Sequence, residues 1–306
     1  MRVAIVGGTG FVGRYLVEAL GNAGHEISIM VRRGSDSRLE GREYCRTVAG
    51  DLGAPAALDA LLADCNAVIY CVGILREFPR RGITFEALQY AGVMSTVEAA
   101  KRQGVSRLLL MSANGVKVPG TAYQETKKRA EDYALASGVD TTIFRPSVIF
   151  GDPRGRMEFA TQLYREMVAP PLPAVAFFSG LIPERGKILM SPVHVSDVAQ
   201  AFVDSLADRR TYGRIYHLGG PEVLSWTEML RRIAEATGRR KWIVPMPVGI
   251  MRLAAACLDW LPGFPVTRDQ LAMLVEGNTA DPGVIESLIR RRPIAFTSAQ
   301  LAYLAR

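Results

Sequence analysis

Two groups of residues in this sequence have types and spacings that could do chemistry. The first is Gly7-Gly8-Thr9-Gly10-Phe11-Val12-Gly13, which reads as G-x-G-x-x-G from Gly8 and as G-x-x-G-x-x-G from Gly7. Glycines so spaced permit a tight turn, let the backbone approach a pyrophosphate and let a helix pack closely on a strand. A helix opening after the turn adds unpaired N–H groups and a positive dipole end. The second group is Tyr123-Gln124-Glu125-Thr126-Lys127, a phenol and an ammonium at i and i+4 on one helix face. A neighbouring ammonium lowers a phenol pKa, so such a pair can move a proton to or from an oxygen near neutral pH.

A dinucleotide fingerprint of this kind carries an acidic residue about 20 positions further on, which accepts a ribose 2′-OH, whereas an arginine pairs a 2′-phosphate. Here the second apolar run ends Met30-Val31-Arg32-Arg33-Gly34. Arg32 and Arg33 therefore predict NADP(H) ahead of NAD(H), the alternative being two solvated loop charges. Asp51, in Ala49-Gly50-Asp51-Leu52, is a candidate acceptor for the adenine amino group or else a helix N-cap.

These residues need a scaffold, and the chain has the pattern of one. Short β-branched runs at Val3–Val6, Ile27–Val31, Thr47-Val48, Ala67–Val72, Leu108–Met111 and Thr141–Phe144 alternate with helical spacing. In the first helix Val12, Leu16, Ala19 and Leu20 face inward. A second runs from Phe85 to Arg102, with Phe85, Leu88, Gly92, Val93, Thr96, Val97 and Ala100 inward. Alternation of this kind predicts an α/β, Rossmann-type doubly wound parallel sheet. The expected domains are 1–151, a nucleotide-binding Rossmann domain, and 152–306, a smaller substrate-side region. One segment near 192–220 returns to the sheet with a strand at Gly213–Leu218. Helices are expected at Trp226–Thr237 and Val248–Trp260.

Composition narrows the classes. The 306 residues are 49% hydrophobic and 22% charged, so collagen-like and disordered chains are excluded. The net charge of +7 favours acidic ligands. Four cysteines (Cys45, Cys65, Cys71, Cys257) form no C-x-x-C and only three histidines exist, so no metal site is expected. Reduced thiols and an N-terminus without a signal-peptide core suggest a cytoplasmic protein. Two apolar stretches fail as membrane spans: Met167–Pro183 is broken by Pro170, Pro171 and Pro173, and Trp242–Val266 holds Arg252, Asp259 and four prolines. Within them, Phe177, Phe178, Leu181 and Ile182, and a helix over Ile250–Trp260, are read either as ordinary core and dimer packing or as a greasy pocket or membrane-facing lid. The basic runs Lys127-Lys128-Arg129, Arg239-Arg240-Lys241 and Arg290-Arg291-Arg292 come with no nucleic-acid-binding motif, so no nucleic-acid partner is expected.

The glycine turn, Asp51-Leu52, Tyr123-xxx-Lys127, Arg145-Pro146-Ser147-Val148-Ile149-Phe150-Gly151 and Pro192-Val193-His194-Val195-Ser196-Asp197-Val198-Ala199 together resemble the extended and atypical short-chain dehydrogenase/reductase superfamily. The resemblance covers essentially the whole chain. Val72-Gly73-Ile74-Leu75, Met111-Ser112-Ala113 and Phe264-Pro265-Val266-Thr267-Arg268-Asp269-Gln270-Leu271 look most like the branch holding the Rossmann-fold accessory subunit of mitochondrial complex I and its bacterial relatives. The resemblance implies that Gly7, Thr9, Gly10, Phe11, Val12 and Gly13 face the cofactor phosphates, Arg32 or Arg33 the 2′-phosphate, and Asp51 with Leu52 the adenine. It implies that Cys71, Val72, Gly73 and Met111 line the nucleotide cleft and that Pro146, Val148 and Ile149 pass beside the nicotinamide. Tyr123 would be the acid/base, with Lys127 lowering its pKa and binding the ribose. Asn114 stands where the family carries serine or threonine, Ser112 lies two residues earlier, and Gln89 replaces an asparagine. His194 falls in a segment that is mostly structural in the family.

Three functions follow as expectations. The first is an oxidoreductase with a lipophilic, quinone- or isoprenoid-like carbonyl or enone substrate. The second is a non-catalytic nucleotide-binding protein for assembly or redox sensing, peripheral to a membrane or a respiratory complex. The third is a sugar-nucleotide epimerase or dehydratase. A monomer or homodimer is expected in each case.

Overall fold

The computed structural model describes residues 1–32, 45–180, 182–183, 185–250 and 268–306. The chain divides into two compact units. One comprises Met1–Pro146, Val195–His217 and Glu286–Arg291, and the other Ser147–His194, Leu218–Ile285 and Arg292–Arg306.

The first unit is built on a seven-stranded sheet. Its strands are β1 (Arg2–Val6), β2 (Glu26–Val31), β3 (Cys45–Ala49), β4 (Ala67–Tyr70), β5 (Arg107–Met111), β6 (Asp140–Pro146) and a seventh at Arg214–Leu218. From one edge to the other the order is seventh, β6, β5, β4, β1, β2, β3. β1 pairs in parallel with both β2 and β4, and β2 with β3, β4 with β5 and β5 with β6 likewise. Helices cover both faces, so the central strands are largely apolar, and every residue of β4 is buried. The helices are α1 (Phe11–Asn22), α2 (Pro55–Leu62), α3 (Gly92–Arg102) and α4 (Ala122–Ala136). The chain leaves β1 toward β2 on one side and arrives at β4 on the other. The strand order therefore reverses between β1 and β4, and a crevice opens at their carboxyl ends. Gly7 follows β1 and Cys71 follows β4 at that crevice.

Two local features set the positions of the site residues. The expected helix from Phe85 to Arg102 is not uniform: Glu86–Ala91 is a π-helical stretch before α3. Gln89, four residues from both Phe85 and Val93 on the inward face, is only 2% exposed. Helix α4 opens on a capping box, in which Gln124 N–H donates to Thr121 Oγ1 and Thr121 N–H to Gln124 Oε1. The box fixes the entry of α4, and with it Tyr123 and Lys127 in the first two turns.

The second unit contains short strand pairs. Ile149–Phe150 runs parallel to Val193–His194, Leu189–Met190 antiparallel to Leu224–Ser225, and Ala174–Phe178 parallel to Ile243–Pro247. They pack with the helix Trp226–Ala236 around Phe150, Leu163, Phe177, Trp226, Leu230 and Phe296. The prolines of Met167–Pro183 stop a helix, but the residues after them form a strand that periodicity alone did not predict. Phe177 and Phe178 are buried. They pack in the core, as the ordinary-core alternative expects. Ile182 is exposed. Leu181, and the expected helix beyond Ile250, lie outside the described residues, as does Phe264–Thr267.

Arg107, at the start of β5, is 2% exposed and binds the unit together. Its guanidinium donates to Thr142 Oγ1, Thr211 Oγ1 and the carbonyls of Asp140, Ser205 and Leu206. Burial lowers its pKa but leaves it charged. Lysine carries the same charge without the planar fork and cannot reach these acceptors together. Arg107→Lys should therefore lower unfolding free energy by about 3 kcal/mol or more, read by denaturant titration. A loss below ~1 kcal/mol would show that the network is not a principal support.

Candidate functional site

The glycine turn closes against β1 and β4 at contact distance. Gly7 has φ of +100°, a conformation that favours glycine. A Cβ on Gly7 would meet the Cys71 backbone at 3.0 Å, and one on Gly13 would lie 2.2 Å from the Gly7 carbonyl oxygen. Gly10 caps α1 without a side-chain bond, so no side chain of the cap takes up the N–H groups of the first turn. Thr9 and Phe11 flank this cap, while Val12 is buried in the first turn of α1. Backbone N–H groups and the positive end of the helix dipole at such a terminus suit an anion.

Around the turn, the predicted residues differ in kind. The buried Cys71 thiol donates to the Val6 carbonyl at 3.3 Å, and burial pushes it up to about 12, so it packs as an inert group. Val72 is half-buried and Gly73 exposed. Arg32 is exposed at the end of β2, and Arg33 lies outside the described residues. Asp51 is no helix N-cap, because α2 starts at Pro55 with Ala54 before it. Its Oδ1 instead accepts from Gly53 N–H at 2.9 Å, an exposed turn, while Leu52 packs against the core.

Tyr123, Lys127 and Glu131 follow one face of α4. Lys127 is 6% exposed, and its Nζ makes one long hydrogen bond, 3.4 Å to the Met111 carbonyl. Burial lowers its pKa to about 8, with Glu131 acting in the opposite direction. Lys127 Nζ lies 5.6 Å from the centre of the Tyr123 ring, over the ring instead of at the hydroxyl, and Phe85 packs edge-on against that ring. Burial pushes the Tyr123 phenol up. The expected lowering of this phenol by Lys127 is therefore not seen: desolvation outweighs an ammonium that does not reach the oxygen.

Lys127 lines a small, partly open pocket with Tyr70, Val72, Gln89, Met111 and Ser112. Ser112 is buried, and its hydroxyl has no hydrogen-bond partner among the described residues. Gln89 donates to the Ile74 carbonyl and accepts from Thr126, joining the segment after β4 to α4. Sequence reading noted Gln89 only as a departure and gave it no role.

Asn114 N–H donates to the carbonyl of Pro146 at 2.9 Å, and its Oδ1 lies 2.6 Å from His217 Nδ1. Burial and Arg145 lower the His217 pKa, while Glu131 raises it. Nothing in the spacing singled out His217, because it belongs to the seventh strand, 103 residues from its partner. Glu131 is fully buried and holds Arg145 through both carboxylate oxygens. Val148 and Ile149 belong to the second unit, where Val148 packs on the core and Ile149 pairs with Val193. His194 is buried with its ring edge-on to Phe150, a packing role.

The lowered Lys127 pKa has a sign that can be checked. Between about 8 and its ordinary 10.5 the folded chain holds fewer protons at this group than the unfolded chain, so stability from Lys127 rises across that window. The full rise is roughly 3 kcal/mol. In nucleotide-free protein, the wild type should gain on Lys127→Met from pH 8 to 10.5, measured by denaturant titration at each pH. A difference that does not change with pH would contradict a buried, depressed ammonium.

Comparison with known proteins agrees with this geometry. Ceramide reductase of Caulobacter vibrioides is 28% identical over 265 residues, which span 84% of this chain and 77% of that protein. Subunit 9 of the mitochondrial NADH dehydrogenase (ubiquinone) 1 alpha subcomplex of Arabidopsis thaliana is 28% identical over 308 residues, 94% of this chain and 71% of that one. The crystal structure of gox2253 superposes with a TM-score of 0.76 at 20% identity, covering 99% of this chain and 96% of the other, a likeness of fold. The profile of the NAD(P)H-binding family matches residues 7–167, from the glycine turn onward and over more than half of the 306 residues, and the chain belongs to that family.

Proposed function

We propose that this chain is an NADP(H)-dependent oxidoreductase acting on a lipophilic carbonyl or enone, with Tyr123 as the proton donor. The observation that carries the reading is Lys127. A lysine that is 6% exposed and has one 3.4 Å hydrogen bond among the described residues costs stability and earns no structural role. Such a group in a pocket is the mark of a functional site.

The residues present fit a dinucleotide. The cradle at Gly13 is one that a Cβ would fill, and the Ser112 hydroxyl lacks a partner among the described residues. Gly10, Gly13 and the first turn of α1 would hold the diphosphate, Arg32 and Arg33 a 2′-phosphate, and Lys127 the ribose hydroxyls. Bound there, a nicotinamide supplies or accepts a hydride. Burial keeps the Tyr123 phenol protonated at neutral pH, so it serves as the acid that protonates a substrate oxygen during reduction. Ser112 and Asn114 are the polar groups at the end of β5 suited to orient that oxygen. A relative named ceramide reductase supports a lipid-like substrate. Free thiols suit a cytoplasmic setting, and a positively charged chain suits a peripheral place on a membrane.

A second reading, a non-catalytic nucleotide-binding subunit, is favoured by one observation. Asn114 replaces the expected hydroxyl and is engaged by His217. The likeness to a respiratory-complex subunit over 94% of this chain points the same way.

NADPH should bind about 10- to 100-fold more tightly than NADH, the value of one charge-assisted pair. The double variant Arg32→Ala with Arg33→Ala should erase that preference, read by titration calorimetry. Equal affinities in the wild type would defeat the NADP(H) assignment.

Tyr123→Phe should reduce NADPH-dependent turnover of a responsive ketone, enone or quinone by about 10²- to 10⁴-fold while leaving NADPH affinity nearly unchanged. Equal rates for wild type and variant would exclude the tyrosine mechanism. If no compound is turned over while nucleotide co-purifies with the chain, the second reading stands.

A further inference from the structure

We infer that the end of the strand pair Ala174–Phe178 and Ile243–Pro247 is a docking surface for an anionic lipid bilayer. The inference rests on the peripheral-membrane reading above and assigns it a place.

Trp242 and Leu172 are the two most exposed large apolar side chains among the described residues, at 83% and 70%. The fold brings them to one spot. Ala174 N–H donates to the Trp242 carbonyl at 2.8 Å, so the segment carrying Leu172 runs beside the one carrying Trp242. Along the second strand, Ile243 and Met246 pack on the core, while Val244, two residues from Trp242, is exposed. A solvated strand face would carry polar groups at these positions. Single exposed apolar residues are ordinary, but a tryptophan, a leucine and a valine gathered on one outward edge are not.

The charges beside them identify the occupant. Arg239, Arg240 and Lys241 immediately precede Trp242. Arg239 Nη1 donates to the Ala169 carbonyl at 3.1 Å, and Lys241 Nζ to the Pro170 carbonyl, so both cations reach across to the loop that ends in Leu172. None of the three pairs with a carboxylate among the described residues. Tryptophan seats at the level of lipid headgroups, and arginine and lysine bury their stems while keeping their charges at the surface. Each such cation strengthens partitioning to an anionic leaflet by about fivefold. An apolar tip ringed by cations matches that interface in both polarity and charge.

The full chain is mixed with vesicles of phosphatidylcholine and with vesicles of phosphatidylcholine and phosphatidylglycerol, and binding is read by co-sedimentation at moderate and high salt. The wild type should bind the anionic vesicles, release them at high salt, and leave the neutral ones largely unbound. Leu172→Ser with Trp242→Ser should weaken binding at least about tenfold. Arg239→Glu with Arg240→Glu should weaken it about 25-fold or more, two fivefold steps. Val223→Ser, at another exposed apolar residue of the same unit, should change nothing. Melting temperature and NADPH affinity check the fold of each variant. Independently of those variants, brominated lipid should quench the tryptophan fluorescence of Trp260→Phe, and adding Trp242→Phe should remove most of that quenching, because the remaining Trp226 is buried. A wild type that ignores both vesicle types overturns the inference and the peripheral reading together. If the wild type binds while the variants bind equally, this surface is wrong and the peripheral reading stands. Equal binding to neutral and anionic vesicles overturns the charge recognition.

Discussion

The rest of the structure depends on a close approach at the end of β1. Helix α1 starts so near the strand that a Cβ on Gly13 would lie 2.2 Å from the carbonyl oxygen of Gly7. Any side chain there pushes the helix off the sheet. A Cβ on Gly8 would likewise meet Ile29 at 2.7 Å, which is how the turn rests on β2. The approach aims the first turn of α1 at the crevice where the strand order reverses, and it fits a ligand with oxygens instead of side chains. The buried thiol of Cys71 closes the other side of the turn. Its high pKa leaves it a packing group, so the crevice gains shape from it and no reactivity.

A second constraint acts on α4. Burying Lys127 weakens its hold on its proton, and a carboxylate one turn away would ordinarily restore it. Glu131 is that carboxylate, but its two oxygens are already engaged by Arg145. The ion pair therefore compensates Lys127 only in part and leaves it near titration at about 8. The same pair acts on His217, where Arg145 lowers the pKa and Glu131 raises it. One buried salt bridge thus tunes the ammonium on one side and, through His217, the side chain of Asn114 on the other. Its geometry matters more to the site than its own net contribution to stability.

Much of the first unit was legible because both of its periods are simple. Fully apolar runs of four or five residues mark strands covered on both faces, and Val12, Leu16 and Leu20 mark the helix that covers them. The glycine turn was legible because backbone proximity leaves glycine as the only residue that fits. What could not be read depended on contacts remote in sequence. Asn114 meets His217 across 103 residues of sequence, and the polar partners that the buried Gln89 finds, the Ile74 carbonyl and Thr126, come from other segments. In the second unit, the prolines of Met167–Pro183 excluded a helix correctly but hid the strand that follows them. Leu172, Ile182 and Trp242 remain outside, while Phe177 and Phe178 are buried. Hydrophobicity along the chain does not distinguish the two sides of a strand whose partner lies about 70 residues away.

What stands at the end of β5 bears on how the proposed chemistry would route its proton. A serine or threonine hydroxyl can accept as well as donate, and so can pass a proton along; an asparagine amide can orient an oxygen but does not exchange its proton at neutral pH. With Asn114 at that position, the proposed mechanism draws the substrate's proton from Tyr123. Burial holds that phenol in its protonated form, and Lys127 sits over the ring where it does little to stabilise a phenolate. Oxidation of an alcohol would require the phenolate as base, in surroundings that disfavour it. Reduction ends on that same phenolate once the phenol has given its proton, so these surroundings weigh on both directions alike. In the proposed mechanism Asn114 would orient the substrate oxygen without relaying its proton.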